Sequence, residues 1–265
     1  MVSTGRDVRK TEIINLENEG LTCQDLGNYP LAISGGGVGS NIGSFAAICG
    51  GEEWSASGGP NGFFYSLNQC YKLVAGEWQQ FATMTFKRAY AASMGVGNSL
   101  MVFGGNNGYN NQHIGGNFAI ILQSTEIINE NGQVSQGPNM PTALKYHAIA
   151  TVNSSTFIIT GGVTNGMRLT RRSNFLPLSE VTWYYNHVIQ KFQEGPSLMD
   201  SRSGHASGTV VDQETSENIV VVTGGATGGI SYLDSTELLL DGEWQQGKNH
   251  RSKAVQDKNS SDAAR

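Results

Sequence analysis

Phe157-Ile158-Ile159-Thr160-Gly161-Gly162 is an apolar run of strand length closed by a glycine pair, and the same figure stands at three other places in the chain. Ala46-Ala47-Ile48-Cys49 precedes Gly50-Gly51, Leu100-Met101-Val102-Phe103 precedes Gly104-Gly105, and Val220-Val221-Val222-Thr223 precedes Gly224-Gly225. The first glycines sit at 50, 104, 161 and 224, so successive pairs lie 54, 57 and 63 residues apart. Two longer words keep the same period. Thr11-Glu12-Ile13-Ile14-Asn15 returns at 125–129, two periods on, and Gly76-Glu77-Trp78-Gln79-Gln80 returns at 242–246, three periods on. A spacing of this size marks a repeat architecture in which each unit is one module that buries its apolar faces only against its neighbours.

Within a period, the stretches 90–94, 100–103, 124–129 and 133–137 are short apolar or alternating runs, separated by turn residues such as Gly95-Val96-Gly97-Asn98 and Glu130-Asn131-Gly132. No helical period competes with them. Four strands in about 55 residues predict an all-β chain built as a β-propeller of four-stranded blades. The composition agrees: 35 of 265 residues are Gly, close to twice the usual share of about 7%, as many tight turns require. A formal net charge of −5 gives no electrostatic reason for nucleic-acid binding. No apolar stretch reaches the roughly 20 residues of a membrane span. The segment Met1 to Asp7 has no apolar core of an export signal.

The residues resemble the kelch repeat family, whose blade has an apolar strand ending in Gly-Gly, then two spaced aromatics, then a basic residue opening the next blade. The figure reads Gly50-Gly51, Tyr71, Trp78, Arg88 in one repeat and Gly161-Gly162, Tyr185, Phe192, Arg202 in another. It is degraded elsewhere, with Ile127 and Val134 in the aromatic places before Lys145, and Leu238 in the first aromatic place before Trp244. The match is similar to divergent metazoan kelch-like proteins carrying Cys-Gly-Gly, and it covers residues 8–252. It implies a half-blade at 8–28, blades at about 29–84, 88–140, 145–199 and 202–247, and a polar, disordered tail at 253–265. Arg251 to Val255 resembles a further first strand, after which the chain stops inside a blade. Either the opening half-blade and this strand seal a five-bladed ring, or the chain is part of a longer propeller; the need to cover open sheet edges favours the second.

The repeated residues read as structural. Trp78 and Trp244 share a repeat position where the family packs an aromatic between blades. Arg88, Lys145 and Arg202 are expected to recur in register, each pairing with carbonyls or a carboxylate of the next blade, and Glu12, Glu126 and Glu237 recur after Thr. His147 and His205 each follow such a basic residue; hydrogen bonding is expected of them, with no metal and no cofactor. Cys49 and Cys70 fall at neighbouring strand ends, so they either form a disulfide or stand as two buried thiols. With the acceptor sequence Asn153-Ser154-Ser155, a disulfide leans the expectation toward an extracellular setting for a part of a longer protein, and otherwise toward the cytoplasm.

What differs between repeats is the segment after each glycine pair, at 52–66, 106–121, 163–179 and 226–233. Insertions in repeat proteins gather on one face, where partners dock. These segments carry Trp54, Phe63, Phe64, Tyr109, His113, Arg168, Arg171, Arg172 and Phe175, residue types that dominate interface energetics. The expected function is protein binding through this loop rim, as an interaction scaffold. No catalytic constellation is read in the sequence. Two alternatives stay open: a kelch-propeller enzyme resembling copper oxidases or sugar-processing enzymes, or carbohydrate-binding module, and a filament-associated structural protein.

Overall fold

The computed structural model describes residues 2–3, 9–15, 22–55, 63–111, 116–117, 120–164, 177–227 and 231–247. Every regular element among them is a strand. No helix among the described residues is long and apolar enough to cross a membrane.

Four antiparallel four-stranded sheets follow one another, each with its strands in chain order. The first holds Val38–Ile42, Phe45–Cys49, Gln69–Val74 and Glu77–Thr83; the second Ala92–Val96, Ser99–Phe103, Thr125–Asn129 and Val134–Gln136. The third holds Ala148–Asn153, Thr156–Thr160, Thr182–Asn186 and Lys191–Glu194; the fourth Ala206–Val211, Asn218–Thr223, Thr236–Leu240 and Glu243–Gln246. A three-stranded sheet of Val2–Ser3, Thr11–Asn15 and Thr22–Leu26 precedes them. In such a meander the tight hairpins lie at one end of the sheet, while the glycine-pair segments and the sheet-to-sheet connections lie at the other. That second end is termed the rim face.

The first strands of successive sheets abut. Ser93 Oγ donates to the Gly39 carbonyl at 3.2 Å, the Gly95 amide donates to Ser40 Oγ at 3.1 Å, and Thr209 Oγ1 donates to the Thr151 carbonyl. Neighbouring sheets also share their cores. Ile42, Cys49 and Ala47 of the first pack with Leu100, Val102 and Ile128 of the second, and Ala150 and Ile158 of the third with Val220, Val222 and Trp244 of the fourth. Trp78 and Trp244 are both buried, and each leans on the sheet before its own. Trp78 Nε1 donates to Thr11 Oγ1 at 3.2 Å and Trp244 Nε1 to the Pro196 carbonyl at 2.9 Å. Trp78 faces Leu73 across the strand pair, Trp244 faces Leu239 and Phe192 faces Tyr185. The first aromatic place is therefore held by Leu73, Ile128, Tyr185 and Leu239; Tyr71, Ile127 and Leu238 lie elsewhere in register.

The glycine pairs are joints between sheets. Gly51 N donates to the Arg88 carbonyl, Gly105 N to the Leu144 carbonyl and Gly162 N to the Arg202 carbonyl, each at 2.8 Å. A Cβ on Gly50 would lie 2.3 Å from the Arg88 oxygen, and one on Gly161 would lie 2.5 Å from the Arg202 oxygen. Any side chain there would force the two sheets apart.

These same bonds correct the register of the repeated cations. Leu144, not Lys145, is the counterpart of Arg88 and Arg202. Arg88 and Arg202 are fully buried and pair within their own sheets rather than with the next one. Arg88 Nε meets Glu126 Oε2 at 2.9 Å and Arg202 Nη2 meets Glu237 Oε1 at 2.5 Å. Arg88 Nη1 also donates to the Gly104 carbonyl at 2.6 Å, and Arg202 Nη1 to the Gly224 carbonyl at 2.9 Å. In the third sheet the place of the glutamate is taken by Trp183, and Leu144 and Trp183 pack in one apolar cluster. An ion pair has been exchanged there for an apolar pair, a replacement that buried pairs tolerate well.

Cys49 and Cys70 face each other on adjacent strands and form a disulfide, with Cα atoms 4.1 Å apart. Cys23 is free and exposed.

Candidate functional site

The rim face carries a sheet of its own. Glu52–Ser55 and Phe63–Ser66, from the segment after Gly50-Gly51, pair with each other; Tyr109–Asn111 and Gly116–Asn117, from the segment after Gly104-Gly105, extend them. With Ile33–Gly35 this makes five strands in the order 116–117, 109–111, 63–66, 52–55, 33–35. Two connectors from different repeats are thus hydrogen-bonded into one surface, with Tyr109 opposite Tyr65 and Asn110 opposite Phe64.

Of the nine residues expected on this rim, Trp54, Phe63, Phe64 and Tyr109 fall in this sheet. Trp54 is 45% exposed and Phe64 is half-buried. His113, Arg168, Arg171, Arg172 and Phe175 lie outside the described residues, as do Arg251 to Val255 and the tail 253–265. Two exposed apolar residues of the segments after the glycine pairs were missed. Tyr232, 87% exposed, sits in a two-residue pairing of Ser231–Tyr232 with Ala226–Thr227, and Ile120, 64% exposed, pairs with Asn107. Both lie in the segments that differ between repeats, which was the available signal. Tyr65 donates to Glu53 Oε2 at 2.6 Å, and that bond is the main reason its phenol is pushed up to about 12.

At the inner border of this face, where each first strand begins, one residue per sheet adopts a left-handed backbone. These are Gly36 (φ 70°), Tyr90 (φ 55°), Tyr146 (φ 56°) and Gly204 (φ 63°). They form a backbone chain from sheet to sheet: Tyr90 N donates to Gly36 O at 3.1 Å, Tyr146 N to Tyr90 O at 2.9 Å and Gly204 N to Tyr146 O at 2.9 Å. Glycine suits this conformation, whereas a tyrosine there stores roughly 1–2 kcal/mol of strain. The two rings lie against each other, centroids 4.2 Å apart and tilted by 32°.

Around them stand two groups that no other sheet repeats. Glu52 is 5% exposed, and its Oε2 accepts the Tyr90 hydroxyl at 2.5 Å. Burial holds this carboxyl above the usual range, against the Tyr90 hydroxyl and Lys145, which favour its charged form. Lys145 is half-buried, with Nζ 5.4 Å from the centre of the Tyr146 ring. Burial lowers its pKa, opposed by Glu52. Burial, followed by the bond to Glu52, raises the Tyr90 phenol. In this cluster the phenol keeps its proton and donates a hydrogen bond to the carboxyl, while the ammonium can attract a negative charge.

Beneath Tyr146, His147 is buried and its pKa falls to about 4 because the charged ring would be desolvated, opposed by the Phe103 backbone. His205 falls to about 3, through burial first and then the nearby Arg202 and His147 charges. The Thr160 hydroxyl meets His205 Nε2 at 2.9 Å, which is the hydrogen-bonding role expected of it. No group of three metal-binding side chains occurs among the described residues.

No family model matches the chain, and no curated protein does. Its fold is that of a known structure. The solved structure titled "Structure of YjhT" superposes with a TM-score of 0.73 over 93% of this chain and 82% of that one. The two sequences are 11% identical, so the likeness is one of fold alone.

Proposed function

We propose that the chain is a kelch-type β-propeller that binds a protein partner through its rim face. The observation that carries this reading is the five-stranded rim sheet: the variable segments of two repeats are fused into one surface. An interaction scaffold needs its unlike parts on one side and its like parts in the core. Trp54, Ile120 and Tyr232 leave apolar area exposed in the rim segments, and aromatic residues are the ones that dominate interface energy. The glycine-pair joints, the inter-sheet tryptophans and the shared fold support a propeller of four-stranded blades.

A photo-crosslinking amino acid at position 54 tests the reading. It should give one discrete adduct in an extract of the source cells. The same group at Val188, which is 70% exposed in a hairpin at the opposite end, should give none of that adduct. Reversing the charges of Arg171 and Arg172 should weaken the adduct without lowering the unfolding temperature. Equal labelling from both ends would overturn the assignment of the face.

A further inference from the structure

We propose that the inner border of the rim face is a binding site for an aromatic carboxylate, its anionic head on Lys145 and its ring against Tyr90 and Tyr146. The case begins with what the repeats do not share. The counterparts of Lys145 are Ala89 and Ser203, as their equivalent bridges to Asn106, Val163 and Ala226 show. A cation at this place is therefore not needed to build a sheet. The fold neutralises it only in part: Glu52 acts on it electrostatically, and among the described residues Lys145 makes no ion pair of the kind that holds the buried arginines. Its ammonium lies over one face of the Tyr146 ring, which leaves ammonium hydrogens to donate.

A half-buried cation whose acidic neighbour is bound to a tyrosine and makes no ion pair with it is costly, and an anion from outside is a direct remedy. The two tyrosines say what should carry that anion. Both hold a strained backbone at places where the first and fourth sheets have Gly36 and Gly204, so the rings are present at the expense of the fold. They are half-buried, which leaves part of each ring to a ligand. A flat apolar ring matches them through offset or edge contacts. The Tyr90 hydroxyl is already committed to Glu52, so the tyrosines offer faces rather than further donors.

Benzoate is the probe, titrated into the full chain and followed by ligand-observed NMR and by tyrosine fluorescence. Saturable binding is expected with a dissociation constant of roughly 1–10 mM, in keeping with the size of the ligand. Acetate and benzamide, which lack the ring or the charge, should each bind at least about tenfold more weakly. Lys145→Ala takes the residue that the second sheet has in this place and should abolish binding while the protein stays folded. Tyr146→Gly takes the residue that the fourth sheet has and should weaken binding about fivefold or more. The proposal fails if benzoate shows no saturable binding to the wild type, or if benzamide binds equally well. It fails equally if Lys145→Ala binds benzoate unchanged. Circular dichroism on both variants keeps loss of fold apart from loss of the site.

Discussion

Gly161→Ala should damage the protein far more than Gly224→Ala, although the two glycines hold the same repeat position and nearly the same backbone, φ 59° and 68°. The left-handed conformation costs alanine roughly 1–2 kcal/mol at either site, and the gain from a less flexible unfolded chain is common to both. What differs is the neighbour. At Gly161 the new Cβ would lie 2.5 Å from the Arg202 oxygen and 2.8 Å from His205 Cε1; at Gly224 the nearest described atom is the Leu233 oxygen at 3.7 Å. The Arg202 carbonyl is pinned by the Gly162 amide at 2.8 Å, so it yields only by parting the third and fourth sheets. Overpacking of this kind costs about 1–3 kcal/mol more. Gly161→Ala should then lose roughly 2–5 kcal/mol against about 1–2 kcal/mol for Gly224→Ala, or near 5–15 °C against 2–6 °C in a chain of this size. Thermal unfolding followed by circular dichroism reads the difference, with Gly104→Ala expected to behave like Gly161→Ala. Equal shifts at 161 and 224 would refute the claim that the glycine pairs serve contact between sheets.

Leu144→Arg should cost about 3–5 kcal/mol alone, as a buried charge without a partner, and Trp183→Glu should also destabilise. Together they rebuild the pair of the second and fourth sheets, so a double-mutant cycle in urea should show more than about 2 kcal/mol of favourable coupling. Acid should weaken the fold through His147 and His205, whose folded pKa values of about 4 and about 3 lie below 6.5. The unfolded chain takes up protons that the native one refuses, so stability is full above about pH 6.5, falls through the window down to about pH 3, and then levels off. His147→Ala, which copies Ala91, should remove on the order of 3 kcal/mol of that dependence in stability measured against pH. Opening the Cys49–Cys70 bridge by Cys70→Ala should cost about 3 kcal/mol for a closed loop of 21 residues, read as a lower urea midpoint.

The sheets were legible in the sequence because their signals are local. An apolar run of five letters is a whole strand, and a glycine pair marks two successive left-handed residues, φ 59° and 99° at Gly161-Gly162. The register of the cations was not legible, since Lys145 stands one place after Leu144 and only the hydrogen bond from Gly105 tells them apart. One clue was present: Thr182-Trp183 where other repeats have Thr-Glu means that no carboxylate waits for a cation in that sheet. The rim was legible as a set of unlike segments, and Trp54 lies exposed in one of them. The pairing of two such segments into one sheet depends on contacts between repeats, which no single repeat encodes.

The cluster of Glu52, Tyr90, Lys145 and Tyr146 escaped for a related reason. Its members come from three sheets, and none belongs to a motif with a recognisable spacing. A repeat protein nevertheless supplies its own control. Where an unusual residue meets its own partner inside the sheet, as Arg88 meets Glu126 and Arg202 meets Glu237, folding explains it. Where the position is glycine in two sheets and tyrosine in two, or Ala, Lys and Ser in three, the other sheets already show that the fold does without the unusual residue. An expensive departure from the repeat, such as a strained tyrosine or a half-buried cation that makes no ion pair among the described residues, is then evidence of a demand made from outside the fold. At the inner border of the rim three such departures touch one another, and chance placement of strain would not gather them there.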